Sequence, residues 1–450
     1  MGIYNFRGGV HPKGYKELSA DKPLKEFLPS GELVFPVSQH VGKPAIPVVK
    51  RNDLVKVGQL IARADGFISS NIHSSVSGKV KAVEPRLNNA GVMVESIVII
   101  NDNEYTLAEG VGEKTDYTKF SAKEIIEKIK DAGVVGLGGA GFPTYVKMMP
   151  QKPEEIRWIV ANGAECEPGI TCDDRLMQEH PEEIVEGMKI VLQLFPTAKA
   201  VIAIETNKPA AIASMKKAIA GDNRFSVLEL KVKYPQGGER NLVHAVTGQY
   251  MESASLPASL GCIVDNVATL AAIYKAVALN TPLYERGLTV TGDGAAQPAN
   301  YIVKFGTLAS EIIPDEGGLK PGTKKVLLGG PMMGMAIPNT DIPLEKRNNA
   351  LTCYLEDEVE IAQGKLTNCI RCGKCIRVCP LGLYPQMMAE AIEKNNLQRF
   401  IDVHGLDCIQ CGTCNFACPA KRPLTQLFKQ GKPLAMALNR INQSKKEGSK

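Results

Sequence analysis

Over residues 1–115, apolar positions come in short runs broken by Gly, Pro and Asn. Glu32-Leu33-Val34-Phe35-Pro36-Val37 and Val94-Glu95-Ser96-Ile97-Val98-Ile99-Ile100 predict strands. From about Tyr117 the periodicity changes. Ser121 and Glu124 form a capping box ahead of Ile125, Ile126 and Ile129, which share one helical face, and Gly133 can close that helix. A strand at residues 156–161, an amphipathic helix at 181–195, a strand at 200–204 and a helix at 209–220 follow. Such alternation predicts a mostly parallel α/β sheet. Residues 287–345 return to a β pattern, and residues 386–396 read as a helix within a cysteine-rich region.

That region carries the most specific chemistry. Cys369, Cys372, Cys375, Cys379 and Pro380 repeat as Cys408, Cys411, Cys414, Cys418 and Pro419, two copies of C-x2-C-x2-C-x3-C-P. Three thiolates on one tight loop grip three irons of a cubane, and the fourth cysteine of each copy ligates the other cluster. The spacing therefore assigns Cys369, Cys372, Cys375 and Cys418 to one [4Fe–4S] cluster, and Cys408, Cys411, Cys414 and Cys379 to the other. Zinc sites lack this third cysteine and C-x3-C-P ending, and disulfides need an oxidising compartment. Two such clusters point to single-electron transfer, with a purely structural pair as the alternative. The long gap from Cys379 to Cys408 points to a helix-rich ferredoxin domain. Cys172, Cys262 and Cys353 lack ligand spacing and read as buried thiols, while Cys166, between Glu165 and Glu167, reads as a small packing residue or a ligand contact.

Two further segments suggest ligand binding. Gly136-Leu-Gly-Gly-Ala-Gly-Phe-Pro-Thr144 lets backbone N–H groups approach a phosphate, or is a plain turn, and Lys147 can add a point charge. After the strand at 156–161 comes Asn162-Gly-Ala-Glu165-Cys-Glu167-Pro-Gly169, at the strand end where α/β sheets bind ligands.

The chain has 450 residues, enough for several domains. No apolar run reaches the ~18 residues of a membrane span, and the start lacks the apolar stretch of a signal peptide, so a cytoplasmic protein is expected. Net charge is +5, concentrated at the end: residues 421–450 hold eight Lys/Arg against Glu447 alone, a local +7. A basic tail can meet an acidic partner or an anionic membrane, or serve as a solvated terminus. No aromatic residue interleaves its last positions and no nucleic-acid module is present, so nucleic acid is not an expected partner.

Together with Tyr234-Pro-Gln-Gly-Gly-Glu239 and Asp265-Asn266-Val267-Ala268-Thr269, the glycine loop and acidic turn resemble, in order, the flavoprotein subunit of respiratory complex I. Leu137, Tyr145, Ala164 and Gly238 depart from that pattern. The resemblance implies an FMN site with NAD(H) as substrate. Gly138, Gly139, Ala140 and Gly141 would cradle the nucleotide and Lys147 its phosphate. Asn162, Asn266 and Thr269 would bind FMN. Glu165, Glu167 and Glu239 would hold the nicotinamide or ribose, and Phe142 would stack on a ring or anchor the loop. No catalytic residue is implied beyond the cofactors.

Over nearly the full chain the architecture resembles the C subunits of Rnf ion-translocating electron-transport complexes. That implies a multidomain α/β chain: a hammerhead-like barrel-sandwich module (1–115), a Rossmann-like FMN/NADH domain (116–286), a β-grasp module (287–345), an α-helical two-cluster ferredoxin domain (355–430) and a basic tail (431–450). The hammerhead resemblance rests on residues 52–61 and 77–80. No lysine occupies Asp65-Gly66-Phe67, where that fold carries a lipoyl or biotinyl group. The family implies peripheral placement on the cytoplasmic face of the bacterial membrane, with electrons exchanged between ferredoxin and NAD+ coupled to Na+ or H+ movement. Its partners would be other subunits, including an iron–sulfur subunit that accepts electrons from ferredoxin. Two rivals share features: a cobalamin reductase of bacterial microcompartments, and an adaptor with working clusters and a vestigial nucleotide site.

Overall fold

The computed structural model describes residues 3–253 and 255–447. Its N-terminal β module is two facing antiparallel sheets. Glu32–Pro36 pairs with Met93–Asn101, which pairs with Gly78–Leu87, which pairs with Leu54–Val55. Ile46–Pro47, Leu60–Arg63 and Ile72–His73 form the other. Alternation along these strands buries Leu33, Phe35, Val80, Ile97 and Ile99. The Tyr145 hydroxyl donates to the Phe67 carbonyl, so the hairpin tip is tied down on the neighbouring domain.

The α/β domain opens as its sequence predicts. Ser121 Oγ accepts from the Glu124 N–H and Glu124 answers to the Ser121 N–H, closing the capping box ahead of the helix Ala122–Asp131. Four parallel strands follow, in spatial order Phe225–Leu230, Lys199–Glu205, Trp158–Gly163, Cys262–Asn266. The chain builds outward from Trp158–Gly163 in one direction, then crosses back to lay Cys262–Asn266 on its other side. The order therefore reverses between those two strands, and a crevice opens beyond their C-terminal ends. The helix Pro181–Leu194 packs on the helix Val267–Ala278 tightly enough that a Cβ on Gly187 would sit 1.9 Å from the Leu270 carbonyl oxygen. One apolar core runs from the β module through this domain.

The third sheet differs from the expected 287–345 module in two ways. It reaches Ala350–Tyr354, which lies between Glu285–Thr291 and Lys325–Leu328. It also recruits Leu24–Phe27 from the N-terminus, paired in parallel with Ala299–Lys304. Phe27 meets Tyr301 edge-to-face at 6.1 Å, so the recruited strand brings its own core residue. Residues 4–27 thus engage the other domains rather than the barrel: Tyr4 bridges to Leu230, and Val10 to Tyr234.

The cysteine-rich region is helical, with Pro385–Glu393 and Leu397–Asp402 packed on a long helix, Leu424–Glu447. That helix takes in most of the expected basic tail. Phe428 and Ala435 are buried, because the spacing of Leu424, Phe428, Gly431 and Ala435 gives it a face that fits the ferredoxin core. Lys450, and the side chains of Lys446 and Glu447, lie outside the described residues. Among the described residues no helix is long and apolar enough to cross a membrane.

Burial holds His73 neutral, its pKa lowered from 6.5 to about 3 by loss of water and then by Lys346. The unfolded chain binds a proton near pH 6.5 and the folded chain does not, so this stability is intact above 6.5 and is lost as pH falls toward 3. In urea unfolding, the native-minus-His73→Leu difference in free energy should fall by about 1.4 kcal/mol per pH unit between pH 6 and 5. A difference independent of pH would contradict the buried neutral ring.

Candidate functional site

All four ligand-like segments meet around the crevice. The glycine loop is held from beneath: the Leu137 N–H donates to Thr269 Oγ1 at 2.9 Å, and Gly136 N donates to Phe142 O at 2.8 Å. Thr269 is fully buried in that bond and positions the loop. A Cβ on Gly138 would sit 2.8 Å from Asn266 Cβ, and Gly141 needs its positive φ of 73°. Gly139 and Ala140 are exposed, and a Cβ on Gly139 would meet nothing within 4 Å. Phe142 is half-buried.

The acidic turn is held by two lysines that no local pattern points to, Lys208 buried and Lys16 half-buried. Lys16 Nζ donates to the carbonyls of Glu165 (2.7 Å), Glu167 (2.9 Å) and Ile170 (2.5 Å). Lys208 Nζ donates to Ala164 O at 2.7 Å. Glu165 takes a left-handed φ of 47° and accepts from the Asp173 N–H at 2.7 Å. Its burial pushes its pKa up to about 8 against the pull of Lys16 and Lys208. Glu167 is raised to about 7 by burial, although it accepts from the Met332 N–H at 3.1 Å.

Asn162 Nδ2 donates to Gly237 O at 2.9 Å, joining the acidic turn to the third segment. Asn266 caps the helix Val267–Ala278 through its Oδ1 and donates to Asp173 at 2.7 Å. Lys147 turns away from the glycine loop: it donates to Val264 O at 2.7 Å and lies 3.4 Å from Asp265 and 3.6 Å from Glu239. Burial alone would lower its pKa; Asp265 and Glu239 outweigh that and raise it. The departures from the complex I pattern have local causes. Ala164 is fully buried in an apolar cluster, and Gly238 precedes the helix Glu239–Thr247 where a Cβ would crowd Pro235 O at 3.2 Å.

A polar ligand fits this crevice. Thr144 Oγ1, Glu165 Oε2, both amide atoms of Gln236, and Asp265 Oδ2 are buried without a hydrogen bond, and each of the four segments supplies at least one of them; Glu165 Oε2 has only Lys16 Nζ, 3.8 Å away. Buried polar atoms are almost always bonded, so such a concentration marks a binding site. Gln236 lies inside the third of the four segments, so its type and place could have singled it out.

The cysteines also converge. Cys379, Cys408, Cys411 and Cys414 surround one apolar cavity, closed by Leu383, Met388 and Phe428. Burial raises the Cys408 thiol to about 11, with Cys411 and Cys379 adding to it. Cys418 lies instead near Cys375, beside Cys369. Cys379 thus lies among the cysteines of the second motif and Cys418 near Cys369 and Cys375 of the first, groupings of soft thiolates of the kind that bind iron. Cys411 packs with Val10, Tyr234, Cys166 and Met332, which places the second motif against the acidic turn and third segment. Cys166 Sγ accepts from Gly237 N at 3.4 Å, consistent with a packing thiol.

The chain matches three known domain families: the RnfC barrel sandwich hybrid domain over residues 4–104, the Nuo51 FMN-binding domain over 129–275 and a 4Fe-4S dicluster domain over 361–419. It is 41% identical to the C subunit of a proton-translocating ferredoxin:NAD(+) oxidoreductase complex from Clostridium ljungdahlii, over 94% of this chain and 92% of that one. It is 39% identical to the C subunit of the Na(+)-translocating complex from Acetobacterium woodii, over 97% and 98%. To the C subunit of an ion-translocating oxidoreductase complex from Rhodobacter capsulatus it is 40% identical, over 95% and 83%. With the barrel, the flavin-type crevice and the two cysteine sets in one chain of this length, the protein belongs to the family of C subunits of Rnf-type ion-translocating ferredoxin:NAD(+) oxidoreductase complexes.

Proposed function

We propose that the chain exchanges electrons between NAD(H) and single-electron carriers in an ion-translocating ferredoxin:NAD+ oxidoreductase complex, through FMN and two [4Fe–4S] clusters. The observation that carries this reading is the shared wall between crevice and cluster cavity. Tyr234 touches Cys411 on one side and reaches Glu167 at 3.4 Å on the other. Bound FMN would supply the conversion between a two-electron hydride and single electrons. The residues do the rest. The exposed backbone at Gly139 and Ala140 admits a phosphate, and Gln236 and Asp265 offer unpartnered polar atoms to the bound nucleotides. Lys147 sets the charge of the crevice floor through Asp265 and Glu239. Those unpartnered atoms also disfavour a vestigial nucleotide site.

The other subunits of the complex are its partners, including an iron–sulfur subunit that takes electrons from ferredoxin. Relatives at 41% and 39% identity are named for protons and for Na+, so overall similarity in this family does not track the ion. We place the chain on the cytoplasmic face of the membrane. The outer side of the helix Leu424–Glu447 exposes Leu434 and Ile441 beside Arg440 and Lys445, a pattern suited to an anionic surface.

Three experiments test this reading. Gly139→Val should leave the melting temperature unchanged, since its side chain enters open space, yet weaken FMN at least about tenfold by blocking the phosphate. Fluorescence quenching reads the affinity; unchanged FMN binding would move the cradle elsewhere. Iron analysis should give about eight irons per chain, and Cys379→Ser should damage the cluster of the second motif, seen in its electron paramagnetic resonance signal. Damage confined to the first cluster would refute the cross-over. Sedimentation with anionic vesicles should retain the full chain several-fold better than one truncated after Leu438 at low salt, with the gap closing at high salt. Equal retention at every salt concentration would remove the helix end from membrane docking.

A further inference from the structure

The two cysteine loops present opposite surfaces. Residues 408–420 contain no charged side chain. Cys411 and Cys414 are buried, and a Cβ on Gly412 would strike the Met332 carbonyl at 2.7 Å, so the centre of this loop packs against the segment that follows Lys325–Leu328; Ile409, at 37% exposure, is well short of its counterpart in the first loop, and Phe416 is exposed. The first loop faces solvent. Cys369 and Cys372 are exposed, and Ile370 between them is 64% exposed, with Leu366 also uncovered. Lys365, Arg371, Lys374 and Arg377 surround it, all exposed, and residues 361–389 contain no acid. The acids that follow are mostly engaged elsewhere: Glu390 pairs with Lys394 at 2.6 Å while also lying in the field of Arg371, and Glu393 pairs with Arg422.

A need to offset the negative cluster would account for cations, but not for an uncovered isoleucine at the tip of the loop. An apolar centre rimmed by a net excess of positive charge is the anatomy of a transient protein interface steered by electrostatics. We propose that the loop 369–377 is the docking site for a redox protein that presents an acidic face over a one-electron centre. This rests on the reading that Cys369, Cys372, Cys375 and Cys418 hold a cluster. One electron crosses in each encounter: the donor's centre is oxidised by one, the acceptor's is reduced by one, and no bond or proton moves. Ile370 supplies the apolar contact, while Arg371 and Lys374 supply attraction and orientation.

The test uses the full chain with both clusters and flavin, and as probe a reduced, small acidic [4Fe–4S] ferredoxin. Stopped-flow mixing should give a second-order rate constant that falls about tenfold from ~50 to ~400 mM salt. The double variant Arg371→Glu, Lys374→Glu should lower the low-salt rate about tenfold or more and flatten the salt dependence. Arg371→Gln, Lys374→Gln should fall between, and serves if charge reversal costs the loop its iron. Lys123→Glu, on the distant capped helix, should behave as native. Reduction by a net-neutral zwitterionic viologen should be the same in every variant. The proposal is overturned if the double variants keep eight irons and the native rate and salt slope, if they slow the viologen equally, or if Lys123→Glu slows the ferredoxin as much. A native chain holding only four irons would instead refute the cluster assignment beneath it.

Discussion

The acidic turn after the first strand of the parallel sheet is the constraint on which the rest of the molecule depends. Its chain reverses sharply, with Glu165 in a left-handed conformation, and this turns several carbonyls inward together. Unpaired and buried, each would cost on the order of 1–3 kcal/mol. Lys16 and Lys208 meet that demand, Lys16 by giving three donors to three carbonyls. Lys16 comes from the N-terminal segment, so this segment has to cross the α/β domain before the barrel begins. Its onward path explains the bridge of Val10 to Tyr234 and the loan of Leu24–Phe27 to the third sheet.

With the turn fixed, charge is arranged around it without many free acids. Glu165 and Glu167 are both held well above the ordinary carboxylate range by burial, so near neutrality the crevice carries less negative charge than its sequence suggests. This suits a site that must admit phosphates and a negatively charged nucleotide. Lys147 keeps its charge because Asp265 and Glu239 flank it.

The asymmetry of the cysteine loops follows the same division between inside and outside. The second motif is neutral and packs against Tyr234 and Met332, where bare charges would be expensive to desolvate. The first motif lies at the surface, where cations cost little and can act on a partner over a Debye length.

By itself the sequence determined the chemistry and the class of each module. Cysteine spacing identifies two clusters because ligation geometry is largely local to each loop. The capping box at Ser121 and Glu124, and the strand–helix alternation, fix the α/β domain because hydrogen bonding and periodicity act over a few residues. Tertiary structure decided the rest. Lys16 meets Glu165 across 149 residues, and no local pattern encodes such a pairing. Thr269, Asn266 and Lys147 carry polar groups that suit a ligand, yet each is bonded to the protein, because folding brought acceptors to them first. The basic terminus reads as a tail from its charge, and becomes a packed helix because Phe428 and Ala435 find a core that only the folded ferredoxin domain provides.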